Sequence, residues 1–555
     1  MVIEKVRPPQ SLDDLRNLGL TRFFGKVIES CIIDLLLPWL KQDKGQFGGK
    51  PFHSTEHLLL ELVEFIMEGL ETGNQCVAIL AADFSKGFNR LNANRLICTF
   101  AQMKIPGYLL KILISYMTER LMRVKYNNEW SDEHKLNGGS PQGALLSIII
   151  FCIYTIGVGM KMPLNISNEP KDYPIMPMEQ EIRQDNTIRL KYVDDTTLAV
   201  KLQLDKLFEL KEAMETGISI PEYFFEEKAP RELTEFQMSS DRNTLHEMID
   251  DVAKFVHLNQ MKINTKKSKT MLFNNSQVDG YLKYSIEGHE LEMTEEMKVI
   301  GFLLQSNSKV SSQVDYMLKR AMPRVFSLKK LMMNGASRSE GLTFYTLWVR
   351  SIFEFQVSVW NGRLTKWQVK EIEKVQKRCL LTILGRKSYR TYDEALKTLD
   401  LKTLSERRED LCFNFVKKAK KNHPNLYPVR ENTSNTRLSR YRPLQVPKHS
   451  SELHKRSGKV YLTELYNSRI ELLDPISTIE SPPKNLLDKH RRHRCGKCEN
   501  CKKLNCGSCA HCTDMKMFGG KGKLKQACKE RKCIGMFPSP MPTIVEENCN
   551  STEQC

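Results

Sequence analysis

Apolar and polar residues alternate on both sides of an aspartate pair in the stretch RLKYVDDTTLAV, which covers residues 189–200. The alternating apolar positions are Ile188, Leu190 and Tyr192 before the pair and Leu198, Val200 and Leu202 after it. A period of two residues is typical of β-strands, so the two runs are predicted to form an antiparallel hairpin. The pair, Asp194 and Asp195, would then lie at a tight turn that faces a cleft.

Two further patterns predict buried elements. The apolar run CVAILAADFSKGF, residues 76–88, predicts a strand that ends at Asp83. The uncharged run ALLSIIIFCIYTIGVGM, residues 144–160, is short for a membrane span and is interpreted as a buried helix. Residues from about 308 to 422 show helical spacing of apolar positions. The chain before residue 300 therefore mixes helices with strands, and a helical region follows it.

Composition divides the rest of the chain. Residues 423–488 lose the apolar periodicity and carry seven prolines among polar residues, which predicts a largely disordered linker. Ten of the 16 cysteines fall between Cys495 and Cys555, which marks a separate module. The predicted domains are residues 1–300, residues 301–422, the linker at 423–488, the module at 489–535 and a tail at 536–555.

The charge balance favours a polyanionic partner. The chain has 84 Lys and Arg against 66 Asp and Glu, a formal net charge of +18. Such an excess most often indicates nucleic acid, although a merely soluble basic surface is the alternative. The first 20 residues contain charges and two prolines but no apolar core of a signal peptide. We therefore expect a soluble intracellular protein with reduced cysteines and no membrane partner.

The aspartates suggest a metal site. Aspartate is a common turn residue, so Asp194 and Asp195 alone leave a purely structural role open. Asp83, at the end of another strand, makes a metal site the better interpretation. If its carboxylate converges with those of the pair, the group can hold two Mg²⁺ ions roughly 3.5–4 Å apart. Hard cations offset the repulsion between neighbouring carboxylates. One ion would activate a primer 3′-hydroxyl, and the other would hold the triphosphate and its leaving pyrophosphate.

The motifs along residues 10–420 resemble the reverse transcriptases of non-LTR (LINE-like) retrotransposons. The matching segments, in the order of that family, are ADFSKGFNRL, NGGSPQGALLS, YVDD, LNQMKINTKKSKTMLF and KVIGFLL. The later segments SIFEFQVSVWN, IEKVQKRCLLTILG and LSERREDL resemble its thumb and post-thumb region. The resemblance implies an α+β right-hand polymerase fold with fingers, a palm built on an antiparallel sheet, and a helical thumb. It implies an RNA-directed DNA polymerase that uses template RNA, a DNA primer and deoxynucleotides.

The resemblance also assigns roles to residues. Asp83, Asp194 and Asp195 match the catalytic, magnesium-binding aspartates. Lys267 matches a lysine that protonates the leaving pyrophosphate, with a solvated surface lysine as the alternative. Phe88 matches the steric gate against a ribose 2′-hydroxyl, with an ordinary core phenylalanine as the alternative. The loop that packs on template and incoming base is matched by Gly139, Pro141, Gln142 and Gly143.

Some positions depart from the family pattern. Lys50 and His53 stand in QFGGKPFHST where the broader class often carries arginines near the triphosphate, so Lys50 is predicted as a weaker nucleotide contact. Gly87 and Asn89 replace the usual alanine and aspartate beside the steric gate, and Gly87 is expected to loosen the turn. We expect abbreviated fingers before Asp83 and no endonuclease domain ahead of the polymerase.

The cysteine module has the spacing of two tetrahedral zinc sites. Two Cys-x-x-Cys-x-x-Cys triplets are followed by two single cysteines, which gives eight thiols for two structural Zn²⁺ ions. Disulfides are the alternative, but nothing else suggests secretion. Residues 489–533 hold 14 Lys and Arg against three acidic residues, a net charge of +11 that suits a phosphate backbone.

This module resembles the CXXC zinc fingers of chromatin proteins that bind unmethylated CpG. The resemblance implies one zinc on Cys495, Cys498, Cys501 and Cys533 and another on Cys506, Cys509, Cys512 and Cys528. It implies that Lys525 and Gln526 read the CpG edges in the major groove, and that Lys521 and Lys523 meet phosphates. Together the two resemblances predict a nuclear polymerase tethered to unmethylated CpG DNA. The abbreviated fingers and the lack of an endonuclease domain leave a catalytically inactive or domesticated CpG-DNA-binding chromatin protein as the alternative.

Overall fold

The computed structural model forms two compact units, Met1–Ile470 and Glu471–Cys555. The residues that it describes are 2–4, 15–17, 19, 23–40, 43–71, 73–118, 120–126, 128–136, 138–161, 182–184, 186–203, 245–273, 283–385, 391–423, 427, 442–473, 498–521 and 526–531. Each unit is described by itself.

The strands of the first unit are short except around the aspartates. Before residue 204 they are β1 (Val2–Glu4), β2 (Leu15–Asn17), β3 (Gln75–Ala82), β4 (Arg120–Met122), β5 (Lys125–Tyr126), β6 (Glu129–Trp130), β7 (His134–Leu136), β8 (Arg183–Gln184), β9 (Thr187–Tyr192) and β10 (Asp195–Gln203). After it they are β11 (Lys269–Phe273), β12 (Ser285–Ile286), β13 (His289–Glu290), β14 (Glu292–Met293), β15 (Glu296–Val299) and β16 (Phe302–Gln305).

The helices lie around these strands and continue after them. Before residue 300 they are α1 (Phe23–Leu40), α2 (Thr55–Glu71), α3 (Ala93–Gln102), α4 (Gly107–Thr118), α5 (Leu145–Tyr154) and α6 (Leu245–Leu258). After it they are α7 (Ser311–Met333), α8 (Arg338–Phe344), α9 (Val357–Trp360), α10 (Lys366–Leu384), α11 (Tyr392–Thr398), α12 (Leu404–Asn422), α13 (Glu452–Lys455) and α14 (Gly458–Leu473). The second unit adds α15 (Glu499–Lys502) and α16 (Ala510–Thr513).

A six-stranded sheet in the order β14-β11-β3-β10-β9-β8 carries the aspartates. Neighbouring strands are antiparallel except for the parallel pair β11 and β14. The predicted hairpin is confirmed, because β9 and β10 pair antiparallel with Tyr192 opposite Asp195. The central strand β3 pairs with β10 on one side and β11 on the other, and it ends directly before Asp83.

Alternation along β3 separates two cores on the two faces of the sheet. Cys76, Ala78 and Leu80 contribute to one core, together with residues of α1 and α3 to α6. Val77 and Ile79 contribute to the other, together with α2 and the helices after residue 310. Because side chains of a strand point to opposite faces in turn, a wholly apolar strand such as this must be covered on both sides.

The buried helix predicted within residues 144–160 is confirmed as α5. Its side chains from Ile149 to Tyr154 are buried, and it packs against α1. In the described part of the chain, none of the helices combines the length and the apolar character needed to cross a membrane.

The helical region after residue 308 is also confirmed, and its helix starts are capped. Ser337, Thr365 and Thr403 each accept a hydrogen bond from the backbone amide three residues later. In each case the side chain of that later residue accepts a hydrogen bond from the backbone amide of the cap residue. Such capping boxes satisfy amide groups that have no partner within the helix.

Residues 442–473 differ from the prediction of a largely disordered linker. Here α13 contacts α2, and Leu444, Val460 and Leu462 are buried within the first unit. Asn467 both accepts from the amide of Leu444 and donates to its carbonyl, at 3.1 and 3.0 Å. Leu444, Leu462 and Tyr466 join the apolar core that α2 and the later helices form, so this stretch is packed although its sequence lacks a clear apolar period. Most of the rest of 423–488 lies outside the described residues.

A buried ion cluster fastens residues 43–50 to β9. Asp43 contacts Arg189 at 3.0 Å and Lys191 at 2.5 Å, and all three side chains are almost fully buried. Burial alone would raise the pKa of Asp43, but the two cations outweigh it and lower the pKa to about 2. Burial lowers the pKa of Lys191 to about 8 despite the attraction of Asp43. Asp43 and Lys191 are therefore charged at neutral pH, and Asp43 is the carboxylate that both buried cations contact.

Replacing Asp43 with asparagine should destabilise the first unit. Arg189 and Lys191 would stay buried without a counter-charge, and removing one partner of a buried ion pair costs about 3–5 kcal/mol of unfolding free energy. Urea denaturation of the full chain followed by tryptophan fluorescence measures the loss. Glu292→Gln is the matched control, since it breaks an exposed pair with Lys269 worth less than about 1 kcal/mol. Equal losses in the two variants would contradict the role given to Asp43.

Candidate active site and cysteine cluster

The three predicted catalytic aspartates come together at one end of the sheet. Thr196 on β10 lies opposite Ala82 on β3, so Asp195 and Asp83 are adjacent across the two strands. Asp194 occupies the turn of the β9–β10 hairpin directly before Asp195. Asp194 and Asp195 are exposed and Asp83 is half-buried, so the carboxylates border solvent rather than the core.

The electrostatics of this cluster suit a cation. Desolvation by the surrounding protein, followed by repulsion from the carboxylates of Asp194 and Asp83, raises the pKa of Asp195 from 3.8 to about 6. Oxygen-only, multiply charged donor sets are those that hard divalent cations prefer. The residues present, Asp83, Asp194 and Asp195, therefore fit a site for a divalent cation.

The segment before β11 lines the other side of Asp83. The amide of Asp83 donates to Ser268 Oγ at 3.1 Å, and its carbonyl accepts from the amide of Asn264 at 2.8 Å. These bonds place Lys267 beside the aspartate, with Nζ 3.9 Å from Asp83 Oδ2. The ammonium is 70% exposed, so it can move toward a ligand. The structure thus brings Lys267 to the site, which the sequence predicted from resemblance alone.

Backbone hydrogen bonds join the segment around Phe88, the predicted steric gate, to the predicted template loop. The amide of Ser140 donates to the carbonyl of Phe88 at 2.7 Å, and the amide of Gly139 donates to Leu91 at 2.8 Å. A side chain on Gly139 would lie 3.0 Å from the carbonyl oxygen of Asn89, and its φ of +74° also favours glycine. The Phe88 ring is half-buried and stacks on Phe151, with centroids 4.6 Å apart.

The remaining loop residues continue along the same edge. Gln142 accepts from the amide of Gly19 at 2.6 Å, and Gly143 has a φ of +104°. Pro141 lies against Gly19 as well, since a Cβ on Gly19 would be 2.9 Å from Pro141 Cβ. The loop is therefore held by backbone bonds on both sides.

Gly87 has a packing reason that the sequence did not show. A Cβ at this position would lie 2.9 Å from Cε2 of the Phe151 ring. Glycine is needed here because the backbone runs directly over the ring on which Phe88 stacks. The expectation that Gly87 loosens the turn is therefore replaced by a close approach.

The contacts of Lys50 lie away from the three predicted catalytic aspartates. Its ammonium donates to the carbonyl of Asp43, and burial lowers its pKa. His53 Nδ1 donates to the carbonyl oxygen of Pro51 at 2.9 Å, and its ring contacts His423. Neither contact involves the three aspartates, so the nucleotide contact predicted for Lys50 stays a prediction.

Gln46, to which no predicted motif assigned a role, supports the hairpin turn from the side of the core. Gln46 is fully buried, and its Oε1 accepts from the amide of Val193 at 3.0 Å. The available signal was the run GQFGG, since three glycines in five residues indicate a backbone that approaches another closely.

The second unit holds one complete set of the predicted zinc ligands. The sulfur atoms of Cys506, Cys509, Cys512 and Cys528 all lie within 4.8 Å of one another. Backbone amides of Lys529 and Cys512 lower the pKa of Cys509 to about 6, which favours the thiolate that zinc requires. Of the other predicted set, Cys498 and Cys501 are described, while Cys495 and Cys533 lie outside the described residues.

The predicted DNA-reading segment follows a glycine turn. Gly519 has a φ of +82°, and a Cβ on Gly520 would lie 2.2 Å from the carbonyl oxygen of Thr513. Lys521 and Gln526 are both exposed beyond this turn. Lys523 and Lys525 lie outside the described residues.

The raised pKa of Asp195 predicts a pH-dependent stability of the metal-free protein. A carboxyl with a pKa near 3.8 unfolded and about 6 folded binds its proton more tightly when folded, so its contribution to stability falls as pH rises between these values. Asp195→Asn should therefore raise the melting temperature at pH 7.5 and change it little near pH 4. Added Mg²⁺ should stabilise the wild-type chain more at pH 7.5 than at pH 5.

Scanning fluorimetry with a chelator present measures both effects. Asp315→Asn, an exposed aspartate on α7, serves as the control and should leave the pH dependence unchanged. A variant at Asp195 that melts lower than wild type at pH 7.5 would rule out the repulsion.

Comparison with known protein families identifies two domains. The model of the reverse transcriptase family (RNA-dependent DNA polymerase) matches residues 3–219. The model of the CXXC zinc finger domain matches residues 488–533.

Individual relatives match the same two parts. A probable RNA-directed DNA polymerase from transposon BS of Drosophila melanogaster is 24% identical over 159 residues, which are 28% of this chain and 17% of that protein. The DNA (cytosine-5)-methyltransferase PliMCI of Paracentrotus lividus is 56% identical over 46 residues, 8% of this chain and 3% of that enzyme. The chain thus spans a small part of each relative's length.

Among solved structures, apo telomerase from Candida tropicalis aligns with 84% of this chain and 59% of its own, at 13% identity and a TM-score of 0.31. From the two family matches, the chain carries a reverse transcriptase domain over residues 3–219 and a CXXC zinc finger domain over residues 488–533.

Proposed function

We propose that the chain is an RNA-directed DNA polymerase of a non-LTR retroelement that extends a primer 3′-hydroxyl. The observation that carries the proposal is the meeting of Asp83, Asp194 and Asp195 at the ends of adjacent strands, where the pKa of Asp195 is raised. A purely structural turn would not require a third carboxylate from another strand. The match of residues 3–219 to the reverse transcriptase family supports the same function.

The three aspartates would hold two divalent cations, Mg²⁺ in this proposal. When bound, these ions would supply activation of the attacking hydroxyl and charge stabilisation of the leaving pyrophosphate. The sheet fixes the carboxylates by its strand pairing, so they are positioned before a substrate arrives. Such pre-positioning avoids reorganisation during the reaction.

Lys267 and Phe88 would act on the incoming nucleotide. Lys267 lies beside Asp83 with its ammonium exposed, so it can donate a proton toward the leaving pyrophosphate. Phe88 presents a ring held by stacking on Phe151, and a rigid ring is what exclusion of a ribose 2′-hydroxyl requires. Gly139, Pro141, Gln142 and Gly143 would lie against the template and the new base.

The second unit would attach the polymerase to DNA in the nucleus. The cysteine cluster supports one structural zinc, and we propose the second on Cys495, Cys498, Cys501 and Cys533. The net charge of +11 over residues 489–533 favours binding to phosphates. Lys525 and Gln526 would read unmethylated CpG, while Lys521 and Lys523 would contact the backbone.

Primer extension on an RNA template with Mg²⁺ and deoxynucleotides tests the polymerase. The wild-type chain should extend the primer, and Asp194→Asn should lower the rate by at least about 10²-fold, because a lost metal ligand costs several kcal/mol of transition-state stabilisation. Phe88→Ala should retain extension and incorporate ribonucleotides more readily.

Asp315→Asn is the matched control, since it removes the same charge from an exposed helix position. Unchanged extension by Asp194→Asn would refute the site. A wild-type chain that folds, binds CpG DNA and extends no primer would favour the non-enzymatic chromatin protein instead.

DNA binding by the second unit should depend on methylation. Fluorescence anisotropy with one CpG duplex, unmethylated and methylated, should show tighter binding to the unmethylated form. Gln526→Ala should reduce this preference, because a lost base contact costs about 1–3 kcal/mol of discrimination. Lys521→Ala should weaken binding to both duplexes equally, as a lost phosphate contact does. Equal affinity of the wild type for both duplexes would exclude CpG reading.

A further inference from the structure

Residues 43–50 run as a strap along the back of the catalytic hairpin. The amide of Phe47 donates to the carbonyl of Lys191, and the amide of Lys191 donates to the carbonyl of Gly45, both at 2.8 Å. Gln46 thereby forms an isolated parallel bridge with Lys191, two residues before the turn. The strap is thus bonded to β9 next to the metal-binding aspartates.

Gln46 reaches from the strap to the turn itself. Its side chain is fully buried, and Oε1 accepts from the amides of both Val193 and Gly48, each at 3.0 Å. Two donors facing one atom identify that atom as the oxygen of the amide group. The same side chain therefore closes the strap on itself and holds the first residue of the turn.

The turn is in a conformation that needs support. Tyr192 pairs with Asp195, so Val193 and Asp194 are the two central residues of the hairpin loop. Val193 has a φ of +60°, a region in which a β-branched residue is a genuine outlier. In two-residue loops this position usually favours glycine. Such a backbone costs about 1–3 kcal/mol and persists only where surrounding contacts enforce it.

The strap fits too closely for those contacts to be incidental. A Cβ on Gly48 would lie 2.7 Å from both the nitrogen and Cγ2 of Val193. A Cβ on Gly45 would lie 2.8 Å from the carbonyl oxygen of Arg189. At its start the strap is anchored by the buried carboxylate of Asp43 on Arg189 and Lys191. The strap is therefore fixed at one end by charge and along its length by direct backbone contact.

We propose that Gln46 is a positioning residue for the metal-binding hairpin. Its side-chain oxygen accepts a hydrogen bond from the Val193 amide. This bond holds the strained turn in the conformation that presents Asp194 and Asp195 beside Asp83. Gln46 acts through the backbone of Val193, whose amide it holds. The inference rests on the proposed function of the aspartates as metal ligands.

Loss of this support should first affect metal affinity. Without the bond to Gln46, the turn can relax away from a positive φ, and the carboxylates then bind metal only in a fraction of molecules. Changes to groups that orient metal ligands typically cost about 10–100-fold in metal affinity or activity. We expect Gln46→Met to raise the Mg²⁺ concentration for half-maximal extension by about 10-fold or more. The KM for deoxynucleotide at saturating Mg²⁺ should change less than 3-fold.

Metal binding itself is measured without turnover. The rise in melting temperature with MgCl₂ is followed by scanning fluorimetry on the full-length chain, because stabilisation grows with the ratio of ligand to its dissociation constant. For Gln46→Met this titration should shift to higher Mg²⁺ by the same factor as the activity titration.

Gln376→Met is the matched control. Gln376 is also buried, accepts from the hydroxyl of Tyr345 at 2.7 Å and donates to Lys402 at 2.9 Å, away from the catalytic sheet. The same substitution there should lower the metal-free melting temperature and leave the Mg²⁺ dependence unchanged. This variant separates positioning from a general loss of a buried amide.

A second substitution tests the strain directly. Glycine adopts a positive φ without penalty, so Val193→Gly should make the turn less dependent on Gln46. In a double-mutant cycle, Gln46→Met should raise the half-saturating Mg²⁺ by a smaller factor in the Val193→Gly background than in the wild type.

The outcomes distinguish the two proposals. A wild type that shows the Mg²⁺ melting shift but no extension overturns the polymerase activity, while the shift in Gln46→Met still decides the role of Gln46. An unchanged Mg²⁺ titration in Gln46→Met, or an equal change in Gln376→Met, overturns the positioning role. A wild type with no Mg²⁺ shift and no extension overturns both.

Discussion

Repulsion among three carboxylates is the constraint around which the first unit is built. Asp83, Asp194 and Asp195 would separate if their backbone were free, and their repulsion adds to desolvation in raising the pKa of Asp195. Strand pairing between β3 and β10 opposes that separation, because both strands lie in the middle of a sheet covered on both faces. The two cores therefore serve the site, since they make the sheet rigid enough to hold like charges.

The hairpin that carries two of these aspartates depends on a second, hidden set of charges. Asp43 draws the strap onto Arg189 and Lys191, and the strap in turn brings Gln46 under Val193. Charged residues thus occur on both sides of β9, exposed at its end and buried behind it. Burial makes the hidden set costly to break, whereas the exposed set gains most from a cation.

The second unit relies on a different source of stability. Few of its described side chains are buried, and three of those that are buried are cysteines, Cys501, Cys512 and Cys528. A module this small cannot bury enough apolar surface to hold its loops, so metal ligation would stabilise the fold in place of an apolar core. Its fold and its affinity for DNA would then share one requirement, the loaded cysteine cluster.

The sequence by itself determined what local pattern can encode. Alternation specified the β9–β10 hairpin, and the apolar run specified a strand ending at Asp83. Cysteine spacing indicated two four-cysteine metal sites, while the resemblance to CXXC zinc fingers assigned Cys528 to the set around Cys506. It could not assign the helices at 442–473, because buried side chains there, such as Leu444 and Leu462, pack into a core whose other residues lie mostly far earlier in the chain. Gln46 and Gly87 were missed for the same reason: their partners, Val193 and Phe151, lie far away in the chain. Only the tertiary structure decided which of the aspartates meet and what holds them there, since close approach depends on three-dimensional packing that no local period records.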